Sequence, residues 1–190
     1  MTYDFDGLLA AATTLTADVR LRLPSGRLVA AEPPGLFPAG EVARWAFTQT
    51  VSPGEYAVEI LTEDDVVLGA RVVVRPEPVS QWLPAQRNGA DYIYPVDGAT
   101  GGFGSVEVFE ALTDDEAREE LVADLSFNAD EPYSIYHHEA TGTNLIAIHL
   151  GADGRYRSWV GYTVDGEVVS FLTDFGDLED RIGESPEPFQ

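Results

Sequence analysis

The stretch that decides the fold is NLIAIHLGADGRYRSWVGYTVDGEVVSFLTDF, residues 144–175. Three runs rich in β-branched and aromatic residues alternate with two short turns that contain glycine and aspartate. The second turn carries the pair Asp165-Gly166, which is a strong signal for a tight β-hairpin. The stretch therefore predicts three consecutive antiparallel strands.

The residues before this stretch mix both kinds of secondary structure. Residues 91–96, DYIYPV, predict a strand, and residues 106–112 predict a helix. Thr113 and Glu116 have the spacing of a capping box, which predicts a second helix from Asp114 to about Leu125. One stripe of this helix is apolar and its other faces are acidic. The stripe consists of Ala117, Leu121 and Leu125.

The first half of the chain is predicted to be mainly β. Asp4 is placed to cap a short helix whose apolar face contains Phe5, Leu8, Leu9 and Ala12. Residues 17–23 alternate between apolar and polar side chains, and residues 27–32 are expected to return as the second arm of a hairpin. Further strands are predicted at residues 43–51, 55–61 and 66–76, with Gly69 as a bulge in the last of them.

These elements predict a β-rich α+β fold. An N-terminal β-meander or sandwich is followed by helices that pack on an antiparallel sheet. Residues 76–89 contain three prolines and an Asn-Gly pair and form the best internal boundary. We therefore expect residues 1–190 to form a single domain with two lobes, residues 1–84 and 85–190.

Charge is the strongest signal in the composition. The chain has 33 acidic residues, 11 arginines and no lysine, which gives a net charge of −22. Residues 1–102 carry a net −6 and residues 103–190 a net −16. Such a field repels nucleic acid and anionic membranes and favours a basic protein or cations. Solubility, a GC-rich codon bias that replaces lysine by arginine, or adaptation to salt also explains the charge, and this explanation is favoured because net charge reports on solubility more readily than on a specific partner.

The compartment is predicted from what the sequence lacks. It contains no cysteine, which excludes disulfides, thiolate zinc sites and thiol nucleophiles. The N-terminal residues lack the basic region of a signal peptide, and no run of apolar residues is long enough to cross a membrane. We therefore expect a cytoplasmic protein.

The segment YPVDGATGGFGSVEVFEAL, residues 94–112, suggests a phosphate-binding loop because it is rich in glycine. A Walker loop needs a lysine, however, and the spacing G-x-G-x-x-G is also missing. The alternative is a tight corner in which Asp97 or Thr100 bonds the turn amides. The Asp174-Phe175-Gly176 motif of protein kinases likewise lacks its lysine and its H-R-D loop.

A second cluster of polar residues lies at residues 136–144, YHHEATGTN. Adjacent residues on a strand point to opposite faces, so His137 and Glu139 share a face while His138 does not. With His149 from the next strand, they are weak candidates for a metal site. An exposed loop is the alternative, because the cluster lacks the spacing of known metal motifs.

Five segments occur in a characteristic order: LPSGRLVAAEP, VSPGEYAVEI, GARVVV with PVSQW, YPVDGATGGF, and DGRYRSWVGYTVDGEVVSFLTDF. In this order the chain resembles the bacterial domain of unknown function 4241 family, from about Arg20 to Leu178. The family's P-V-D turn, D-G-x-Y segment and T-D-F-G ending correspond to Pro95, Val96, Asp97, Thr100, Gly101, Asp153, Gly154, Tyr156, Asp174, Phe175 and Gly176.

The resemblance has two departures. The family turn usually reads V-D-A-G-T-G followed by cysteine, whereas here Gly98 and Ala99 are in reverse order and Gly102 replaces the cysteine. The tryptophan of the family's W-G-D-G segment is also missing. The resemblance implies no activity, substrate or cofactor.

The polar residues that match the family define a candidate site, which consists of Asp97, Thr100, Gly101, Asp153, Tyr156 and Asp174. Each lies at a predicted turn or strand end, so they could converge at one rim of a sheet. The alternative is that they are turn and cap residues that bond local amides.

Two functions are compatible with these observations. The first is a non-catalytic binding protein with a basic protein partner, for example a toxin-like protein that this acidic chain neutralises. The second is a metal-assisted hydrolase in which Asp97, Asp153 and Asp174 hold a divalent cation and a histidine acts as base. The first is favoured because no reaction motif is present.

Overall fold

The computed structural model describes residues 5–35, 37–127, 131–176 and 178. Its helices are α1 (Asp6–Ala11), α2 (Val106–Ala111) and α3 (Asp115–Phe127). The strands are β1 (Thr13–Thr16), β2 (Leu21–Leu23), β3 (Leu28–Ala30), β4 (Gly54–Glu63), β5 (Val66–Val73), β6 (Gln81–Pro84), β7 (Gln86–Arg87), β8 (Ala90–Asp91), β9 (Ile93–Val96), β10 (Thr100–Ser105), β11 (Tyr133–His138), β12 (Thr143–His149), β13 (Gly154–Tyr162) and β14 (Val168–Asp174).

Two antiparallel sheets contain most of the described strands. The large sheet has the order β1-β4-β5-β14-β13-β6, with β2 paired to β4 and β9 paired to β13. The small sheet has the order β11-β12-β10-β3, and β7 and β8 form a separate hairpin. The predicted β-rich α+β fold is confirmed. The three strands predicted from residues 144–175 are β12, β13 and β14. Only β13 and β14 pair with each other, whereas β12 lies in the small sheet between β11 and β10.

The core has three parts, which stack the elements in layers. One apolar cluster lies between the two sheets and includes Ile60, Val72, Phe103, Ile146 and Phe171. A second cluster packs α2 and α3 on the outer face of the small sheet. A third packs α1 on the outer face of the large sheet. The order is therefore helices, small sheet, large sheet, helix.

The sheets do not divide at Pro84. Strand β14 lies between β5 and β13, and β13 pairs with β6, so the large sheet is built from both halves of the sequence. In the small sheet, β3 pairs with β10, although residues 27–32 are predicted to return against residues 17–23. A long-range pair thus replaces the expected hairpin. An alternating pattern shows which face of a strand is apolar, but it does not specify which other strand pairs with it.

Two local predictions differ from the structure. Residues 43–51 were expected to form a strand, but Val42–Trp45 form a 3₁₀ turn and the following residues lie outside strands. Helix α3 begins with an Asp114 cap, whose Oδ1 accepts hydrogen bonds from the amides of Glu116 (3.0 Å) and Ala117 (3.3 Å). Thr113, the predicted cap, donates to the Glu110 carbonyl instead. Asp4 lies outside the described residues.

Candidate functional site

The glycine-rich segment is a buried strand rather than a loop. Residues 100–105 form β10, which lies between β12 and β3 with every residue buried. A Cβ atom added at Gly101 would lie 2.9 Å from the Phe175 ring, and one at Gly104 would lie 2.7 Å from Val108. A Cβ atom at Gly102 would lie 2.8 Å from the carbonyl oxygen of Ile146. These glycines are therefore required by close packing on both faces of the small sheet.

The turn before β10 is held by two carboxylates from distant parts of the chain. Glu32 accepts hydrogen bonds from the amides of Asp97 (3.1 Å) and Gly98. Asp153 accepts one from the amide of Ala99 at 3.0 Å. Ala99 has a φ of +50°, a left-handed conformation that strains a residue with a Cβ atom. Glycine would be free of that strain.

Three aromatic side chains, Tyr94, Tyr156 and Phe175, pack together next to this turn. The rings of Tyr156 and Phe175 meet edge to face at 5.2 Å, and the Phe175 ring lies against Gly101. Tyr94 is fully enclosed, and burial raises the pKa of its hydroxyl well above 10. We call this region the sheet junction and define it as Tyr94–Gly104 with Glu32, Asp153, Tyr156, Asp174 and Phe175.

The sheet junction contains the predicted site residues, and most of them bond backbone groups. Thr100 Oγ1 donates to the Gly98 carbonyl at 3.2 Å, and the Tyr156 hydroxyl donates to the Ala152 carbonyl at 3.1 Å. Asp174 Oδ1 accepts from the amides of Gly176 (3.1 Å) and Leu178 (2.9 Å). The Asp97 side chain is exposed. The arrangement is that of turns and caps that fasten one sheet to the other.

The structure does not bring the candidate metal ligands His137, Glu139 and His149 together. His137 pairs with Asn144 across β11 and β12, so His149 lies five positions further, about 16 Å along the strand. Its Nε2 atom is 2.8 Å from Ser134 Oγ, and burial lowers the pKa of this imidazole. Within the described ranges, no group of three or more His, Asp or Glu side chains is arranged to hold a metal ion.

A different surface, not singled out from the sequence, concentrates the acidity. A groove of about 740 Å³ lies between α3 and β11. We call it the acidic groove. Its five carboxylate residues are Asp114, Glu116, Glu120, Asp124 and Glu139, and its other lining residues are Ala117, Ala123, Tyr136, His137, His138 and Ala140. Acidic faces on α3 were predicted, but the pairing of the helix with β11 could not be read from periodicity.

Tyr136 forms part of the floor of the acidic groove. Its side chain is only 2% exposed, yet its hydroxyl makes no hydrogen bond of standard geometry with the described residues. Burial raises the pKa of this hydroxyl, and the nearby charges of Glu120 and Asp124 raise it further. The hydroxyl is therefore buried beneath the surface of the groove, beside the Glu120 carboxylate.

The comparison with protein families identifies the chain. Residues 21–173 match the family described as "Protein of unknown function (DUF4241)". The chain belongs to this family. The match begins one residue after the predicted Arg20 and ends before Asp174, so the last three residues of the T-D-F-G ending lie outside it. No curated protein and no solved structure gives a match. No helix among the described residues is long and apolar enough to span a membrane.

Proposed function

We propose that this protein is a non-catalytic binding protein whose acidic groove receives an arginine- or lysine-rich segment of a basic protein. The observation that carries the proposal is the composition of the groove. Five carboxylate residues and no arginine line it. The field of the whole chain has the same sign, since the net charge is −22.

The groove has the chemistry that a cationic side chain needs. A guanidinium group forms charge-assisted hydrogen bonds with carboxylates, often two at once, and stacks on aromatic rings. Glu120 and Asp124 lie on one side of Tyr136 and act on its hydroxyl. The exposed Glu120 carboxylate lines the groove, so an incoming guanidinium can bond it there.

The electrostatics also favour rapid association. A strongly negative surface steers a positive partner toward it and makes the association rate fall as salt is added. The partner class that fits is a basic protein, such as a toxin-like protein that the acidic chain neutralises in the cytoplasm. A stable complex needs about 1,000 Å² of buried surface, so the partner must also contact α3 outside the groove.

The test compares two variants with the same net charge. The groove variant is Glu116→Gln/Glu120→Gln/Asp124→Asn. The control variant is Asp64→Asn/Asp65→Asn/Glu77→Gln, whose side chains are exposed and far from the groove in sequence. Binding of an oligo-arginine peptide is measured by isothermal titration calorimetry at low and moderate salt. We expect the groove variant to bind at least about tenfold more weakly and the control variant to change by less than about threefold.

Equal losses in both variants would show that only net charge matters, and this result would overturn the proposal. Amide NMR spectra locate the peptide independently. Peptide-induced shifts should cluster on α3 and β11, and shifts spread evenly over the acidic surface would contradict the assigned groove.

The alternative function, a metal-assisted hydrolase, would use the aspartates of the sheet junction. Asp153 and Asp174 each accept hydrogen bonds from backbone amides there. Binding a cation would require these carboxylates to share their oxygens with it or to release the turns that they hold. No observation favours this function over binding.

A further inference from the structure

A second cavity lies beside the sheet junction and shares Glu32, Tyr94 and Pro95 with it. It is a cleft of about 240 Å³ between the segment that follows β3 and the hairpin β7–β8 with β9. Its walls are mainly apolar, and two charged residues, Glu32 and Arg87, complete it. The remaining lining residues are Ala30, Ala31, Gly35, Phe37, Trp45, Tyr94 and Pro95.

Arg87 is the unusual feature of this cleft. Its guanidinium carbon lies 4.1 Å from the centre of the Trp45 ring and 5.3 Å from that of Tyr92. Its Nη2 atom donates to the Ile93 carbonyl at 3.3 Å. Among the described residues, no carboxylate forms an ion pair with it, although acidic residues outnumber arginines three to one in the chain.

Glu32 does not neutralise Arg87. Both of its carboxylate oxygens accept hydrogen bonds from the turn amides of Asp97 and Gly98, which fixes the carboxylate toward the sheet junction. Arg87 therefore has a planar group held in place by aromatic rings, with several N–H donors left unused. Burial lowers its pKa, as expected for a cation that is poorly solvated.

We propose that this cleft binds a small monocarboxylate with an aromatic body, and that Arg87 holds the carboxylate. The guanidinium fork matches a carboxylate in a bidentate geometry, and the rings of Phe37 and Trp45 pack against an apolar body. The fixed negative charge of Glu32 disfavours a ligand with a second negative charge. The volume equals that of about eight water molecules, which suits a ligand of one or two rings.

The proposal is independent of the acidic groove, because the two cavities share no lining residue. Its test uses benzoate, phenylacetate and indole-3-acetate, each compared with its neutral amide. Binding is measured by ligand-observed NMR and by tryptophan fluorescence. We expect at least one acid to bind with a dissociation constant of about 1 mM or lower, and its amide to bind at least about tenfold more weakly.

Three variants test whether Arg87 binds the carboxylate of the ligand. Arg87→Met keeps the apolar stem but removes the charge, and should weaken binding at least about tenfold. Arg87→Lys keeps the charge without the planar guanidinium group, so its affinity for the acid should lie between those of wild type and Arg87→Met. The control is Arg155→Met, because Arg155 is exposed, lies outside the cleft and changes the net charge equally.

Amide NMR spectra of each variant show whether it is folded before binding is compared. If Arg87→Met is unfolded, the comparison of each acid with its amide in the wild type decides the question. Equal binding of acid and amide, equal losses in Arg87→Met and Arg155→Met, or no binding of any of the three acids would each overturn the proposal.

Discussion

The sheet junction and the acidic groove differ in how their polar groups are used. In the junction, Glu32, Asp153 and Asp174 bond backbone amides, and three glycines of β10 make room for neighbouring groups. In the groove, five carboxylate residues line one surface, and the Tyr136 hydroxyl lacks a good partner. The junction carboxylates are bonded within the fold, although the buried Tyr94 hydroxyl there also lacks a partner of standard geometry among the described residues. The groove differs in that most of its carboxylates line an open surface.

This difference distinguishes residues that hold the fold together from residues that are available to a ligand. The residues that match the family pattern lie mostly in the junction, where they set a turn and fasten two sheets. A motif rich in glycine and aspartate therefore marks a structural joint in this protein. Exposed carboxylates that line a groove are the better guide to a binding surface. A polar group that is already hydrogen-bonded within the fold is less available to a ligand.

The largest change in stability is expected from Gly102→Ala in the junction. The new Cβ atom would lie 2.8 Å from a backbone oxygen of β12, which cannot move without disturbing the small sheet. We expect a loss of about 2–3 kcal/mol in the free energy of unfolding, measured in urea. The control is Gly7→Ala in α1, where the added Cβ meets no atom within 4 Å outside its own helix and neighbouring residues. It should leave stability unchanged or raise it, because alanine favours a helix. A neutral Gly102→Ala would show that the junction is loosely packed.

A pair of Tyr→Phe variants compares a satisfied hydroxyl with an unsatisfied one. The Tyr92 hydroxyl, next to the junction, accepts from the Ala30 amide at 3.0 Å and is 2.5 Å from the Trp45 carbonyl. Tyr92→Phe should cost about 2 kcal/mol, because it leaves buried backbone groups unpaired. Tyr136→Phe in the groove should leave stability unchanged or raise it by about 1 kcal/mol, because it removes a buried hydroxyl that lacks a partner of standard geometry among the described residues. Similar losses in both would mean that Tyr136 is hydrogen-bonded in solution.

The role of the junction aspartates is tested with Asp174 and divalent cations. Asp174→Ala should cost about 1 kcal/mol, because it removes a cap from two amides, and Asp174→Asn should cost less. Thermal unfolding is then followed with Mg²⁺, Mn²⁺, Ca²⁺ and Zn²⁺. We expect any rise in Tm to be shared by wild type and Asp97→Asn/Asp174→Asn. A cation-specific rise that the double variant loses would favour the hydrolase instead.

The smallest expected effect is the change in stability with pH that His149 causes. Burial lowers the pKa of His149 in the folded state below its usual value of about 6.5. The unfolded chain therefore binds a proton first, and stability falls as the pH drops from about 6.5 toward the folded pKa, below which the loss levels off. Urea unfolding across this range should show a shallower loss for His149→Gln. The exposed His137→Gln variant is the control and should follow wild type.

Much of the local structure follows from the sequence. The alternation of Arg20, Leu21, Arg22 and Leu23 predicts a half-buried strand, and β2 has this pattern. The stripe Ala117, Leu121 and Leu125 does face the core. The candidate site residues were predicted to lie at turns and strand ends, and a functional role for them stays a prediction. The hydrogen-bond partners of the turn before β10 could not be predicted, because Glu32 is 65 residues from Asp97 and nothing in its own segment, LPSGRLVAAEP, indicates that contact.

The sequence by itself determined the strands, the helix faces, the excess of negative charge and membership of a family. Only the tertiary structure decided how the strands pair, why β10 needs its glycines and where the carboxylates gather. The physical reason is that periodicity reports which face of an element is apolar, whereas the neighbour that covers it depends on contacts between distant residues. Here β14 inserts between β5 and β13, and α3 lies beside β11 to form the acidic groove.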